Sequence, residues 1–279
     1  MKETDSRSIF CAITHGLYEP WIDILHSGQA TTWLSNAEVE GFEINHFHGV
    51  PGNKLVIKYD KLHEKLRWTN RWVAMPLRVF DQILGFPLRR YIPKQEISRR
   101  LKLKHPVIEI RFIDIYATMK WKDLAILEYF FKNSTANYLF MTTTSSYVYP
   151  SKLMNLVSRL PWTDLYAGAV AYSGANFAAG NNRLFSRDVV EKILNTRRKL
   201  DCGVIEDVAL GNLCQLLGYS LYELPKINIS SMDELDQLSD SSIEGNFHFR
   251  LKSGTASKRD DVKIMLKLHK RMEQIYGHK

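Results

Sequence analysis

A strand–helix–strand alternation between residues 107 and 141 most constrains how this chain can fold. Val107–Ile113 is a β-rich run that ends at Asp114, residues 119–132 suit a helix, and Asn137–Met141 is a second apolar run. Parallel neighbouring strands need a crossover of a dozen or more residues, usually a helix. The alternation therefore predicts an α/β fold with a mostly parallel sheet flanked by helices.

Further apolar runs extend this pattern along the chain. Ile9–Thr14 and Phe42–Phe47 predict two early strands, because each run stops at a glycine-containing turn. A final helix is predicted from about Arg259 to Tyr276. The remaining predicted strands are Tyr166–Tyr172 and Tyr219–Leu224, and the remaining predicted helices are 53–86, Ser186–Arg198 with Ser186 as its N-cap, and Glu206–Leu217 with Gly218 as its C-cap signal.

The segment 230–246 differs from the rest of the chain in composition. Between residues 230 and 244 it contains five acids, five serines and few apolar residues. Such a segment has little apolar surface to bury against a core. We therefore predict a mobile loop there.

Composition favours one large domain. With 279 residues and 45% apolar content, the chain can bury a substantial core. No apolar run reaches the roughly 18 to 20 residues that span a bilayer.

Met1–Ser8 is charged and leads directly into an apolar run, which predicts no signal peptide. Three cysteines cannot all pair and fit no zinc pattern, so we expect a reducing compartment, the cytoplasm.

The formal net charge of +8 calls for an anionic partner or a solvated basic surface. Basic residues crowd the stretch 89–104 and the C-terminal region from Arg250 onward. Neither stretch shows a glycine–aromatic RNA-binding pattern or a helix-turn-helix, so nucleic acid is the least favoured partner. A solvated surface is the plain interpretation. Attraction to anionic lipid or a phosphorylated acceptor, with peripheral association at the inner membrane face, is the functional one.

Four polar motifs follow one another between residues 114 and 208, and their order is more informative than any one of them. They are Asp114-Ile-Tyr116 with Lys120 and Lys122; Thr142–Val148 with Thr143, Thr144 and Ser145; Phe177–Arg183 with Gly180, Asn181 and Asn182; and Ile205–Val208 with Glu206 and Asp207. Together they resemble the β-1,3-glycosyltransferases of the galactosyltransferase/Fringe type, over roughly residues 107–225. The resemblance implies a GT-A-like, Rossmann-type fold. It also implies sugar transfer from a nucleotide-sugar donor to a hydroxyl of a glycan, lipid-linked or protein acceptor.

The chain departs from that family at the end of the strand 137–141. An acidic triplet that holds a metal in the family is replaced here by Thr143, Thr144 and Ser145. Hard divalent cations need carboxylate oxygens, and hydroxyls are poor substitutes. We therefore predict a donor site without a divalent metal or other cofactor. The alternative is a Thr/Ser-rich strand end that binds no ligand.

Basic residues near the C-terminus are candidates to replace the metal. In Phe247–Lys252, apolar and basic residues alternate, so His248, Arg250 and Lys252 would share one side of a strand. Lys258 and Arg259 follow shortly after. A row of cations can neutralise the charge that develops on a departing diphosphate. A solvated basic strand is the alternative.

The resemblance implies a catalytic base at the start of the helix 206–217. A hydroxyl that attacks an anomeric carbon must lose its proton, and a carboxylate within hydrogen-bond reach can accept it. By resemblance Asp207 is the first candidate and Glu206 the second. An inverting displacement is implied, while a retaining outcome stays open. The alternative is two acids that complement the helix dipole.

The other motifs are assigned to the substrates, again by resemblance. Gly180 with Asn181–Arg183 would form a wall of the sugar site, or else a simple turn before the next helix. Asp114 would lie near the nucleotide base or ribose and Lys122 near the donor, or else they are a strand-end carboxylate and a surface lysine.

Three histidines also lie at or near predicted strand ends. By fold analogy alone, Thr14 and His15 would lie near the nucleotide. His46 and His48 share one strand face, which a metal could use. We interpret them as ordinary strand residues, because no carboxylate or cysteine partner is evident nearby.

The sequence thus predicts one domain in four parts: residues 1–148 bind the nucleotide sugar, 149–229 carry the acceptor and catalytic groups, 230–246 form the loop, and 247–279 form the basic strand and C-terminal helix. The predicted function is an inverting, metal-independent glycosyltransferase. Two alternatives remain. One is a non-catalytic GT-A-like module that binds nucleotide or glycan, and the other is a basic binder of membranes or nucleic acid that uses residues 89–104.

Overall fold

The computed structural model describes residues 7–35, 37–50, 103–114, 118–201, 203–254 and 259–277. The predicted helix 53–86, the basic stretch 89–102 and Lys258 lie outside these residues. Within them, the fold is α/β, with a large, mostly parallel sheet flanked by helices and a C-terminal helix. The predicted fold class is confirmed.

Seven strands of the described chain form the large sheet, in the order β3-β2-β1-β4-β7-β6-β8. β1, β2, β3 and β4 run parallel, while β7 is antiparallel to both β4 and β6. The strands are β1 Ile9–Thr14, β2 Phe42–Val50, β3 Val107–Ile113, β4 Tyr138–Thr143, β6 Tyr166–Val170, β7 Ala178–Ser186 and β8 Tyr222–Glu223. All six residues of β1 are buried, as expected for the central strand of a sheet covered on both faces.

Helices cover both faces of this sheet. They are α1 Trp21–Asp23, which continues as a π-helical turn Ile24–Gln29; α2 Met119–Asn133; α3 Pro150–Val157; α4 Arg187–Thr196, followed by a 3₁₀ turn Arg197–Lys199; α5 Glu206–Leu216; α6 Met232–Gln237; α7 Asp240–Glu244; and α8 Asp261–Tyr276. One apolar core packs under α2, α4 and α5, and the other lies between the sheet and α8. The two cores follow from strand alternation: Phe10 contributes to the first, and Cys11 to the second.

A second sheet is small, and within the described residues it has the order β5-β10-β9. Its strands are β5 Ser146–Val148, β9 Ile227–Ile229 and β10 His248–Leu251. β5 follows β4 after a two-residue turn, so this sheet holds β10 against the end of β4. The basic strand predicted at 247–252 is therefore a real strand, placed beside the hydroxyl-bearing turn.

The loop predicted for residues 230–246 is wrong, because two short helices form there. Ser231 caps α6 by accepting a hydrogen bond from the Glu234 amide at 3.1 Å, and Ser239 caps α7 through the Ser242 amide at 3.2 Å. Each helix also buries one apolar side chain, Leu235 or Ile243. The serines that suggested a loop are N-caps, since their side chains satisfy the free amides of a helix start.

Two other local predictions need correction. The strand expected at 219–224 is shorter and comprises Tyr222–Glu223. The segment from Ala178 to Ser186, for which a simple turn was the alternative, is a strand of nine residues. Ser186 precedes α4 in the N-cap position, but its hydroxyl bonds Asp188 at 2.6 Å rather than a helix amide.

Candidate active site

The sheet brings the sequence motifs to one edge. The four parallel strands end in the same direction, so Thr14, Gly49, Asp114 and Thr143 follow or close their strands at this edge. β7 runs the opposite way, and its early residue Gly180 lies at the same edge. The chain leaves β1 toward β2 and β3 on one side and returns to β4 on the other. Open α/β sheets bind ligands at such a switch point, outside the carboxyl ends of the strands.

Asp114 and Lys122 form a buried ion pair at this edge. The Lys122 ammonium lies 2.9 Å from both oxygens of the Asp114 carboxylate and donates to the His15 backbone oxygen at 3.0 Å. The Gly49 amide donates to Asp114 at 3.1 Å. Lys122 is 2% exposed, so the alternative of a surface lysine is wrong. Because an ammonium has three donors, these contacts engage all of them and tie the ends of β1, β2 and β3 together. Contact with a donor stays a prediction for both residues.

Histidines from three segments cluster behind this ion pair. The ring of His15 lies 5.2 Å from that of His48 and 6.0 Å from that of His46, and His46 lies 6.3 Å from His105. Four buried ring nitrogens of this cluster have no hydrogen-bond partner among the described residues: His15 Nε2, His48 Nε2 and both nitrogens of His46. Burial lowers the pKa of each ring, that of His46 to about 3. No cluster of metal-binding side chains occurs among the described residues. The rings are neutral imidazoles in a buried cluster.

This cluster predicts that the protein loses stability in acid. The pKa of His46 is about 3 in the folded protein and about 6.5 when unfolded, so the unfolded chain binds the extra proton. The stability that depends on a neutral His46 is fully present above pH 6.5 and is lost progressively as the pH falls below that value. From His46 alone, we expect the free energy of unfolding to fall by about 2 kcal/mol between pH 8 and pH 5.

Urea unfolding of the wild type and of His46→Leu at both pH values measures this effect. The variant should lose about 2 kcal/mol less than the wild type over the same interval. Equal losses in the two proteins would show that His46 is not held neutral by the fold.

The hydroxyls at the end of β4 face an arginine. Thr143 closes β4, and its Oγ1 accepts a hydrogen bond from Arg250 Nη1 at 2.8 Å. The Ser145 hydroxyl lies 3.4 Å from the Thr143 hydroxyl. Thr144 donates its amide to the Thr14 backbone oxygen at 3.3 Å, which ties the turn to the end of β1. Burial, followed by the charge of Arg259, lowers the pKa of Arg250 to about 10. A protein cation therefore lies beside the hydroxyls at the end of β4.

The rest of the predicted basic row behaves differently. His248 is fully buried beside Thr142, and its pKa lies well below its usual range because of burial, so it carries no charge. Lys252 is exposed beyond the end of β10. Arg259 is bound internally, by the Asp261 carboxylate and the Leu251 backbone oxygen at 3.0 Å. The row of cations is thus corrected: of its described members, Arg250 alone points its charge at the turn after β4.

Glu206 and Asp207 begin α5 and pack against the start of β7. A Cβ built on Gly180 would lie 3.4 Å from Glu206 Oε1 and 4.0 Å from Asp207 Cβ, so the glycine leaves the acids room. Burial, then repulsion from Asp207 and Asp123, raises the pKa of Glu206 to about 7. Burial also raises the pKa of Asp207, whereas Arg183 opposes the rise. Glu206 Oε2 is buried and has no partner among the described residues. With a pKa of about 7, Glu206 can take up or release a proton near neutral pH, a property common among catalytic acids and bases.

Glu206 is expected to cost the folded protein stability. Its folded pKa exceeds the unfolded value of 4.5, so stability falls as pH rises from 4.5 to 7. Glu206→Gln should therefore raise the free energy of unfolding by about 2 to 3 kcal/mol at pH 8, and by less than about 1 kcal/mol at pH 5. Denaturant unfolding at the two pH values measures the difference. Glu191→Gln, at an exposed position of the neighbouring helix, is the matched control and should change little. If Glu206→Gln raised the free energy of unfolding equally at both pH values, the raised pKa of Glu206 would be contradicted.

Arg183 lies near the acidic pair and is held in a buried ion pair, while its contact with a sugar stays a prediction. Its guanidinium bonds the Asp123 carboxylate at 2.6 Å, and both side chains are almost fully buried. Asn181 and Asn182 are buried as well, and in the described structure neither amide nitrogen has a partner. Of the predicted wall, Gly180 is the residue that contacts the acids.

Sequence reasoning missed two residues of this edge, Asp123 and Lys226. Asp123 lies on α2 among apolar side chains, where a single acid gives no sign of a buried partner 60 residues away. Lys226 follows a proline in a short connection before β9, and its position near Arg250 depends on strand pairing.

Comparisons with known proteins add little at the level of sequence. No protein-family model matches the chain, and no curated protein matches it. Two solved structures are similar over 95% of this chain, both of the glycosyltransferase GlyE of Streptococcus pneumoniae TIGR4, one in its apo form. Sequence identity is 9% and 12%, and the TM-score is 0.42 in each case. This chain covers 60% of the length of those chains. No helix in the described ranges is long and apolar enough to cross a membrane.

Proposed function

We propose that this protein is a glycosyltransferase that moves a sugar from a nucleotide-sugar donor to a hydroxyl acceptor. The observation that carries the proposal is the Glu206–Asp207 pair beside Gly180, at the edge where the parallel strands end. A partly buried acid pair with raised pKa values, at the switch point of an α/β sheet, is suited to proton transfer. The acceptor would be a glycan, a lipid-linked sugar or a protein.

The proposed reaction is a direct displacement with inversion. The acceptor oxygen forms a bond to the anomeric carbon and gives its proton to the Asp207 carboxylate. The bond from that carbon to the diphosphate breaks, and the nucleoside diphosphate leaves with the electron pair. Asp207 is the proposed base because of its place in the motif, and Glu206 is the second candidate: a Glu206 pKa of about 7 leaves about half of that side chain ionised at neutral pH and able to accept a proton.

A divalent metal does not fit the residues at the end of β4. Thr143, Thr144 and Ser145 offer hydroxyls rather than carboxylates, and Arg250 lies 2.8 Å from one of them. Divalent cations prefer carboxylate oxygens, and an adjacent guanidinium would repel them. We therefore propose that transfer proceeds without a metal, as the hydroxyl substitution predicts.

The test is release of nucleoside diphosphate from a panel of nucleotide sugars, with mixed glycan and lipid-linked acceptors, in buffer containing EDTA. Turnover that survives EDTA supports both the reaction and its metal independence. Turnover that needs added Mg²⁺ or Mn²⁺ supports the reaction and overturns metal independence. Absence of turnover together with a thermal shift on nucleotide-sugar addition would favour the non-catalytic module.

Cellular placement is proposed on charge alone. The basic stretch 89–104 and the net charge of +8 support peripheral association with an anionic inner membrane face, in the cytoplasm. Vesicles with and without anionic lipid, compared at low and high salt, test this association.

A further inference from the structure

The inner side of the small sheet carries two positive charges without a matching carboxylate. β9 and β10 pair in parallel, with Arg250 opposite Asn228 and Phe249 opposite Ile227. Side chains repeat every two residues along a strand, so His248 and Arg250 share one side of β10. Lys226, directly before β9, comes next to His248 in the same register. Lys226, His248 and Arg250 are therefore neighbours at the end of β4.

The charges at this place do not balance within the described residues. Arg250 donates to the Thr143 hydroxyl, a neutral group, and forms no ion pair there. Lys226 is partly buried and likewise has no ion-pair partner in the described ranges. Asp261 is the carboxylate whose charge acts on Arg250. It is already bound by Arg259 and by the Ser253 hydroxyl, the latter at 2.6 Å.

Uncompensated cations are costly when they are withdrawn from water. Burial followed by the neighbouring Arg250 lowers the pKa of Lys226, and burial lowers that of Arg250. Proteins normally place a carboxylate beside such groups, because an unpaired buried charge destabilises the fold. Two adjacent cations that lack a neighbouring carboxylate are suited to bind an anion supplied by a ligand.

We propose that Lys226 and Arg250 bind the diphosphate of the donor, with Thr143 holding the Arg250 guanidinium in place. This inference rests on the proposed function, whose site shares Thr143. A guanidinium matches two phosphate oxygens at once, and an ammonium adds a compact point charge. Both charges would stabilise the diphosphate as its negative charge grows on departure.

The experiment is calorimetric titration in EDTA with inorganic pyrophosphate and with uridine and guanosine diphosphates. Lys226→Gln removes one charge, and Arg250→Lys keeps the charge but loses the bidentate geometry. Lys132→Gln is the matched control, because Lys132 is exposed at the end of α2 that lies away from this edge of the sheet. We expect each site variant to weaken binding at least tenfold and the control to change it less than twofold. Thermal melting of each variant verifies that it folds.

The outcomes separate this proposal from the proposed function. If the probes bind through Lys226 and Arg250 but no nucleotide sugar is turned over, the anion site is supported and the transferase activity is rejected. If both variants transfer sugar with an unchanged donor KM, the transferase activity is supported and the anion site is overturned. Wild-type protein that binds none of the three probes, or binds them only with added Mg²⁺, also overturns the anion site.

Discussion

Asp207→Asn should lower the rate of sugar transfer by about 10² to 10⁴-fold while the protein stays folded. The asparagine keeps the shape of the side chain and can still accept a hydrogen bond from the Val208 amide, which lies 2.9 Å from Asp207 Oδ1. It cannot accept the acceptor proton. Removal of a carboxylate with a raised pKa also relieves a cost of burial, so stability should not fall.

The measurement is the initial rate of nucleoside diphosphate release at saturating donor, together with donor affinity by calorimetry. Donor affinity should change little, because the base contacts the acceptor in the proposed reaction. Asp233→Asn, at an exposed position of α6, removes the same charge away from the site and is the control. Undiminished turnover in Asp207→Asn would reject Asp207 as the base. If Glu206→Gln alone abolished turnover, the base would be Glu206.

The elements that could be predicted from sequence are those with a local cause. The strand Val107–Ile113 and the helix after it follow from apolar periodicity, and both form where predicted. The start of α5 at Glu206 was also predicted from its motif. Parallel strands then require the motifs to meet at one edge, since their carboxyl ends lie together.

The failures have a non-local cause. Serines between 230 and 244 are compatible with a loop or with N-caps, and burial of Leu235 and Ile243 decides between the two. Strand alternation placed His248 beside Arg250 correctly, but it could not show that packing against Phe140 and Phe247 would bury the ring. Arg259 was placed in the cationic row because the sequence does not show that its guanidinium packs over the distant Trp21, where Asp261 binds it.

Asp123→Ala should be the most destabilising single substitution near the site. The change leaves the Arg183 guanidinium buried without the carboxylate that bonds it at 2.6 Å. Breaking a buried ion pair from one side typically costs about 3 to 5 kcal/mol, because the remaining charge is uncompensated. We expect that loss in the free energy of unfolding, measured with urea at pH 5.

At pH 8 the loss should be smaller, because Glu206 can replace the missing charge. Asp123 raises the pKa of Glu206 and Arg183 lowers it, so removal of Asp123 favours an ionised Glu206. At pH 8 that carboxylate is ionised and can neutralise Arg183, whereas at pH 5 a larger fraction of it is protonated. The double variant Asp123→Leu with Arg183→Met, which removes both charges, should recover most of the loss at either pH.

The pH dependence separates an electrostatic role of Asp123 from simple packing. A cavity left by a shortened side chain would cost the same at pH 5 and pH 8, since apolar contacts do not titrate. An equal loss in the free energy of unfolding at both pH values would thus mean that Arg183 and Glu206 do not interact electrostatically. A larger loss at pH 5 would show that Asp123, Arg183 and Glu206 share one charge balance, and that α2 helps to set the protonation of the proposed catalytic pair on α5.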